Sequence, residues 1–448
     1  MEALNSFLVQ VVDVVWGLPL VVFLLLSGIF LCLRSMALPF RGFFHAWALV
    51  LGFHKKEENA PGQISHFAAL CNALAATVGF GNISGVAVAI TTGGPGAVFW
   101  MWVSALIGMN TKFFECTLAV MYRGKNYLGE VEGGPMYVIK NALPKQFHFL
   151  AVIFAVCAML GTLSLFNVNQ LAQFNEAQFS LSPYVTAVFC TLFVAVVLFG
   201  GLKGIAQTTS ALVPTMCLLY VGLALVILAM NMDKILPTFG LIFQAAFNPQ
   251  SVWGGVLGAT FASVMRTGVQ RAAFSNEAGM GTAPMAHANA KTSEAVREGL
   301  VASIGPFLDT IVVCTMTALV ILISCDSAEI LSNKGIDLTR LAFSKNLGVI
   351  GSTLLGVVAF LFSLSTMLGM ANYNKKCWDF LFRGKLKTKA FILFYSATVF
   401  MGAVSSVDIV LNLLDIGFAL MCIPNLIVTV ALSGKVMKEL KIYYAKSF

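Results

Sequence analysis

Eleven stretches of about 20 mostly apolar residues make up most of this chain, and they leave it few ways to fold. They lie at roughly 14–34, 67–91, 97–121, 149–172, 183–201, 208–231, 252–284, 300–324, 347–371, 389–403 and 407–432. Inside a bilayer every unpaired backbone N–H or C=O costs several kcal/mol, so a spanning segment is either a helix or a strand of a closed barrel. Stretches of this length, about twice what a barrel strand needs, select the helix. Charged residues are 11% of the chain, against about 25% in a soluble domain. The expected fold class is an all-α polytopic membrane protein with eleven transmembrane helices.

The loops test that assignment, because successive loops must alternate sides. Those after the odd-numbered spans, with the C-terminal tail, carry 21 Lys and Arg; those after the even-numbered spans carry 4. Cytoplasmic loops are enriched in Lys and Arg, which predicts an N-terminus outside and a C-terminus in the cytoplasm of a plasma (inner) membrane protein. Arg34 and Arg41 follow the first apolar run, while Glu2 and Asp13 precede it. That is the reverse of a secretory signal, so a retained helix is expected. Residues 40–53, with Phe40, Phe43, Phe44 and Trp47 beside Arg41, read as an interfacial segment.

The net charge of +8 falls in short loops without interleaved aromatics, which sets nucleic acid aside. The ten cysteines form no C-x-x-C pair, and the five histidines no H-x-x-x-H pair, so no metal centre or cofactor is expected.

Two apolar segments are interrupted at membrane depth. The second contains Thr77-Val78-Gly79-Phe80-Gly81-Asn82-Ile83-Ser84-Gly85, poor material for a continuous helix, since each Gly costs up to about 1 kcal/mol against Ala. Irregular backbone persists at that depth only where it lines a protein cavity; the alternative is that Gly81-x-x-x-Gly85 is a helix-packing face. The seventh segment enters near Trp253 with Gly254, Gly255 and Gly258 and continues through Met265-Arg266-Thr267-Gly268 to Ser275-Asn276-Glu277-Ala278-Gly279. Counting about ten residues per bilayer half puts Val78–Asn82 and Val264–Gly268 near one depth. Setting the first helix apart, these are the first and sixth spans of a ten-span core. Such pairs point to the binding site of a secondary transporter built from inverted repeats. The expected division is 1–66 for the N-terminal helix and interfacial segment, 67–231 and 252–432 for two five-helix repeats, and 433–448 for a cytoplasmic tail. A helix starting near Asn82 aims its first amides at the cavity, where they suit a carboxylate, and freed carbonyls suit a small cation.

Residues 79–87 (Gly-Phe-Gly-Asn-Ile-Ser-Gly-Val-Ala), 93–102 (Gly-Gly-Pro-Gly-Ala-Val-Phe-Trp-Met-Trp) and 271–284 (Arg-Ala-Ala-Phe-Ser-Asn-Glu-Ala-Gly-Met-Gly-Thr-Ala-Pro) resemble the alanine/glycine:cation symporter family over nearly the whole chain. The resemblance implies a LeuT-like fold of five plus five helices, and sodium-coupled uptake of alanine or glycine by alternating access. It also implies roles. The amides of Phe80 and Gly81 and the side chain of Asn82 would meet the substrate carboxylate, in a site including Thr77, Gly79 and Ser84. Phe166 would be an aromatic gate, and a second break near Thr267–Gly268 would close the other side. Sodium would bind the carbonyls of Ala75, Val78 and Phe362 and the hydroxyls of Ser365 and Thr366. Read from the residues alone, the favoured alternative is that both hydroxyls bond back to the preceding helical turn.

Other polar residues in the spans are open: Asn167, Asn169 and Gln170 as cavity lining or helix glue, Lys112 with Glu115 as a structural pair, and Arg271 with Glu277 as a pair on the cytoplasmic half. Within transport, proton coupling is the alternative to sodium, and a channel would show a filter motif or a charged ring. An enzyme is not expected, because no P-loop, H-E-x-x-H or G-x-S-x-G motif occurs.

Overall fold

The computed structural model describes residues 2–53, 60–248, 260–384, 386 and 388–447, and they form a helical membrane protein. Among the described residues, each expected span has helix as its main element. Five helices are long and apolar enough to cross a bilayer alone, and two bent pairs, Asn5–Val15 with Leu18–Arg34 and His66–Thr77 with Phe80–Gly93, raise this to seven. The other four expected spans coincide with the shorter or less apolar helices Gly96–Met121, Pro183–Phe199, Phe261–Asn276 and Thr388–Val404. The interfacial segment contains a helix, Phe43–Val50, with Phe44 exposed.

The bent pair His66–Thr77/Phe80–Gly93 is the axis of the bundle: every residue from 69 to 87 is buried. Glycines let neighbouring backbones reach it and each other closely. A Cβ on Gly369 would come within 2.6 Å of Ala76 N, and one on Gly417 within 2.7 Å of Gly161 Cα. These seats fix the long helix Ile336–Phe382 against the axis and the C-terminal helix Val407–Ser447 against Phe149–Gly161.

Several elements depart from the expected pattern. The fourth span is two helices, Phe149–Gly161 and Leu165–Phe179, separated at Thr162–Ser164. There Asn374 Nδ2 donates to Met159 O at 2.7 Å and to Thr162 Oγ1 at 3.0 Å, and Ser164 Oγ bonds Tyr395 OH at 2.6 Å, so side chains satisfy what the helix break frees. Within the eighth span, eight residues from Phe307 to Cys314 are π-helix, a form that concentrates at functional sites. Met232–Phe247, read from sequence as loop, is a helix laid against Gly96–Met121 through Phe239, Phe243, Phe99 and Trp102. The final helix runs unbroken into the expected tail, to Ser447. Trp253, Gly254, Gly255 and Gly258 lie outside the described residues.

Candidate functional site

The first broken span leaves helical geometry at Val78 (ψ 99°) and Gly79 (φ −161°, ψ −148°), and Phe80 begins the second helix. Gly79's φ is extended and open to any residue, so contact is what demands glycine here. A Cβ would overlap Thr366 Oγ1 and lie 3.3 Å from Asn167 Oδ1. At this point the axis touches both Ile336–Phe382 and Leu165–Phe179. The first amides of a helix have no partner inside it, which leaves those of Phe80 and Gly81 facing the break with the positive end of the helix dipole behind them.

Asn82 does something other than the sequence suggested. Its Oδ1 accepts the Gly79 amide at 2.8 Å, and its Nδ2 donates to Asp309 Oδ1 at 2.6 Å and to Ser275 Oγ at 3.1 Å. Asn82 thus holds the break in shape, and its amide is already bonded within the protein. Asp309 is fully buried on the π segment and also accepts from Ser275 Oγ and Thr310 Oγ1, both at 2.7 Å. Asp309 and Ser275 tie the first broken span to the seventh and eighth. The π-helix places Asp309 and Cys314 on this same asparagine, whose Nδ2 is 3.3 Å from Cys314 Sγ.

Beside Gly79, Ser365 Oγ and Thr366 Oγ1 are buried and have no hydrogen-bond partner among the described residues. The alternative in which both bond back to the preceding turn is not what forms. Thr77 behaves in the opposite way, since its hydroxyl bonds back to Ala73 O at 3.3 Å. Ser84 Oγ, seven residues beyond Thr77, is also buried without a hydrogen-bond partner among the described residues, near Gly335. Phe362 packs its ring on Tyr220 at 5.6 Å.

Phe166 is fully buried and meets Phe274 edge to face at 5.3 Å, and Phe274 in turn contacts Phe418 at 5.5 Å. A Cβ on Gly81 would lie 3.5 Å from the Phe274 ring. Phe274 thus lies against the first turn after the break at Val78–Gly79, with the Phe166 ring packed on it. Sequence reading singled out Phe166 and missed Phe274, although Phe274 lies inside the quoted 271–284 motif. Asn167 reaches Gly79, whereas Asn169 is spent on Gly402 O and Ser405 O.

The second break is not at Thr267–Gly268. Helix Phe261–Asn276 runs straight through both residues and ends at Glu277, which has φ 55°, and Gly279 and Gly281 follow with φ 88° and 81°. Thr267 and Gly268 pack on Gly93, Ala97 and Trp100. That is the far end of helix Phe80–Gly93, roughly 20 Å from the first break at 1.5 Å per residue. Their assignment to the substrate site is corrected: they are a helix-packing seat. The expectation counted inward from Trp253, whereas the described helix begins at Phe261 and leaves helical geometry at Glu277.

Arg271 pairs with Asp415, and Gln270 Nε2 donates to the same carboxylate at 2.9 Å. The expected Arg271–Glu277 pair does not form; Glu277 Oε2 accepts from Thr282 Oγ1 at 2.6 Å. Nor does Glu115 pair directly with Lys112: its Oε1 accepts from Asn425 Nδ2 at 2.5 Å.

Comparison with known proteins agrees with this architecture. Residues 1–447 match the profile of the sodium:alanine symporter family. The chain is 40% identical to the sodium/alanine symporter AgcS of Methanococcus maripaludis, over 99% of this chain and 96% of that one. It is also 40% identical to an uncharacterized transporter of Haemophilus influenzae, over 99% and 97%. It is 36% identical to the probable sodium/glutamine symporter GlnT of Bacillus subtilis, over 96% and 89%. The crystal structure of MhsT in complex with L-phenylalanine aligns with a TM-score of 0.59 and 13% identity, covering 83% of this chain and 89% of that one. That likeness shows the LeuT-like fold.

Proposed function

This chain belongs to the sodium:alanine symporter family, and from that premise we propose how its residues divide the work of a sodium-coupled amino-acid symporter. The substrate is a small neutral amino acid, alanine or glycine. Its carboxylate sits on the amides of Phe80 and Gly81, its ammonium group on carbonyls freed at Thr77–Gly79, and the Phe166–Phe274 pair covers it. Sodium is carried between the carbonyls of Ala75, Val78 and Phe362 and the hydroxyls of Ser365 and Thr366. Asn82, Ser275 and Asp309 hold that geometry without touching either cargo.

The observation that carries this reading is the pair of buried, unpartnered hydroxyls of Ser365 and Thr366 beside the helix break at Gly79. A buried polar atom without a partner costs about 1–3 kcal/mol, and a small cation offsets that cost while screening the substrate's carboxylate nearby. Sharing one helix break couples the two bindings. The excess of Lys and Arg in alternate loops supports a C-terminus in the cytoplasm of the inner membrane and an N-terminus outside. In this orientation Arg271–Asp415 lies one turn outward of Phe274, so it closes the outer path above the aromatic pair.

Sodium-driven accumulation of labelled alanine and glycine in proteoliposomes tests the reading. Uptake should require an inward sodium gradient and persist when the proton gradient is collapsed. Equal uptake with and without the sodium gradient would overturn it.

A further inference from the structure

On the face that carries the basic loops, one buried carboxylate holds the entrances of both broken spans. His66 is the first residue of helix His66–Thr77, and its Nδ1 bonds Glu298 Oε2. His287 is the last residue of helix Ala283–His287, which follows the second break, and its Nδ1 meets Glu298 Oε1 at 2.5 Å. Glu298, on helix Ala295–Pro306, is 0% exposed and His287 1%, while the His66 side chain keeps 20%. The backbone repeats the connection. Gln63 N donates to Asn289 O at 2.8 Å, and Lys291 N to Ile64 O at 2.7 Å. Arg123 gathers the carbonyls of Ala288, Ala290, Thr292 and Pro61 at 2.5–3.1 Å. The chain entering the first broken span is zipped to the chain leaving the second.

We infer that the His66–Glu298–His287 clasp is a proton-binding latch on the cytoplasmic gate, closed more firmly when one imidazole takes a proton from the cytoplasm. The inference rests on the alternating-access reading above. An ionised carboxylate only accepts, so each Nδ1 donates to it, and an imidazolium donates a charge-assisted bond about twice as strong as a neutral one. The closed state therefore binds the proton more tightly than a state in which the clasp is parted and the imidazoles are hydrated. By linkage, cytoplasmic acid favours closure, and rising pH releases it.

Imidazole is the side-chain type that ordinarily changes charge between pH 5 and 8. Arg123 and Cys116 face Glu298; the guanidinium stays charged and the buried thiol neutral. Lys376, packed against the His287 helix, is paired with Glu132 at 2.8 Å. His45, on the helix beside Ala295–Pro306, bonds Tyr443 at 2.7 Å. Cys71 is a buried thiol one turn beyond His66, and Lys291 is exposed.

Hydrogen exchange on the purified full chain tests the latch without requiring transport. Amide protection in residues 61–66 and 288–292, corrected for the intrinsic rate, should fall about tenfold between pH 6 and 8. In the double variant H66Q/H287Q, whose amides still donate but do not titrate, it should be flat. Proteoliposomes with the lumen as the cytoplasmic side supply the second readout. Alanine entry should quicken as luminal pH rises in the native chain and lose that dependence in the double variant. Protection that is pH-independent in the native chain, or an unchanged pH profile in the double variant, would overturn the latch. If sodium dependence of uptake were missing while the exchange behaved as stated, the symport reading would fall and the latch would stand.

Discussion

Asn82 Oδ1 takes the amide hydrogen of Gly79 at 2.8 Å, three residues back across a break in the middle of the bundle. An asparagine can do this while its Nδ2 donates to Asp309 and Ser275; no other side chain of that size both accepts and donates twice. Asn82→Ala should lower the melting temperature in detergent, since each buried group left unpaired costs about 1–3 kcal/mol, and should abolish uptake. Asn82→Asp should be the worse of the two, because it keeps the acceptor but sets a second carboxylate against Asp309. A more stable Asp variant than Ala variant would contradict this account of the break.

Ser365 and Thr366 present the opposite case, hydroxyls with nothing in the fold to lose. Ser365→Ala and Thr366→Ala should leave thermal stability within about 1 kcal/mol of the native chain or raise it. The sodium half-saturation of alanine uptake should rise about tenfold or more, equivalent to about 1.4 kcal/mol of lost binding. An unchanged sodium half-saturation would remove both residues from the ion site.

Gly79→Ala puts a methyl onto Thr366 Oγ1 at a φ that alanine tolerates. Uptake should fall sharply in the single variant. Part of the fold's stability should return when Thr366→Ala is added, because the two changes share one contact and are not additive. A double-variant cycle on melting temperature reads this directly, and strict additivity would mean that Gly79 is demanded by something other than Thr366.

Arg271 and Asp415 are both buried and paired. Removing either alone leaves an uncompensated charge, at about 3–5 kcal/mol, so Arg271→Met and Asp415→Asn should each destabilise strongly. The two changes combined should be milder than either. Chemical denaturation or thermal melting of the three variants decides the matter.

Gly268→Ala brings a methyl within 2.6 Å of Trp100 Cβ at a helix-packing seat far from the break. Expression and melting temperature should drop while the alanine half-saturation of the surviving transporter stays within about twofold, as overpacking costs about 1–3 kcal/mol of stability. A shifted half-saturation with unchanged melting would return Gly268 to the substrate site.

How far the site could be read from the sequence differs between the two breaks. Residues 77–85 announce themselves, because three glycines and an asparagine at membrane depth contradict helix formation locally. The second break carried the same kind of signal, Glu277-Ala278-Gly279-Met280-Gly281, but depth counting from Trp253 chose Thr267–Gly268 instead. Gly268 and Gly279 look alike in one dimension. Only Gly279 has the positive φ that makes glycine necessary, while Gly268 is required by the approach of Ala97 and Trp100. Phe274 was missed for a related reason, since an aromatic in an apolar span gives no hint of which partner it faces.

By itself the sequence determined that the chain spans a membrane as helices, which way the basic loops run, and that helical order fails near Gly79. These follow from local chemistry: apolar length, loop charge, and glycine's poor helix propensity. Only the tertiary structure decided that Asn82 bonds across the break, that Arg271 belongs to Asp415, and that Glu298 joins two histidines 221 positions apart (66 and 287). A buried polar group takes whichever partner the packing brings within hydrogen-bond reach, and in this bundle those partners come from helices distant in the chain.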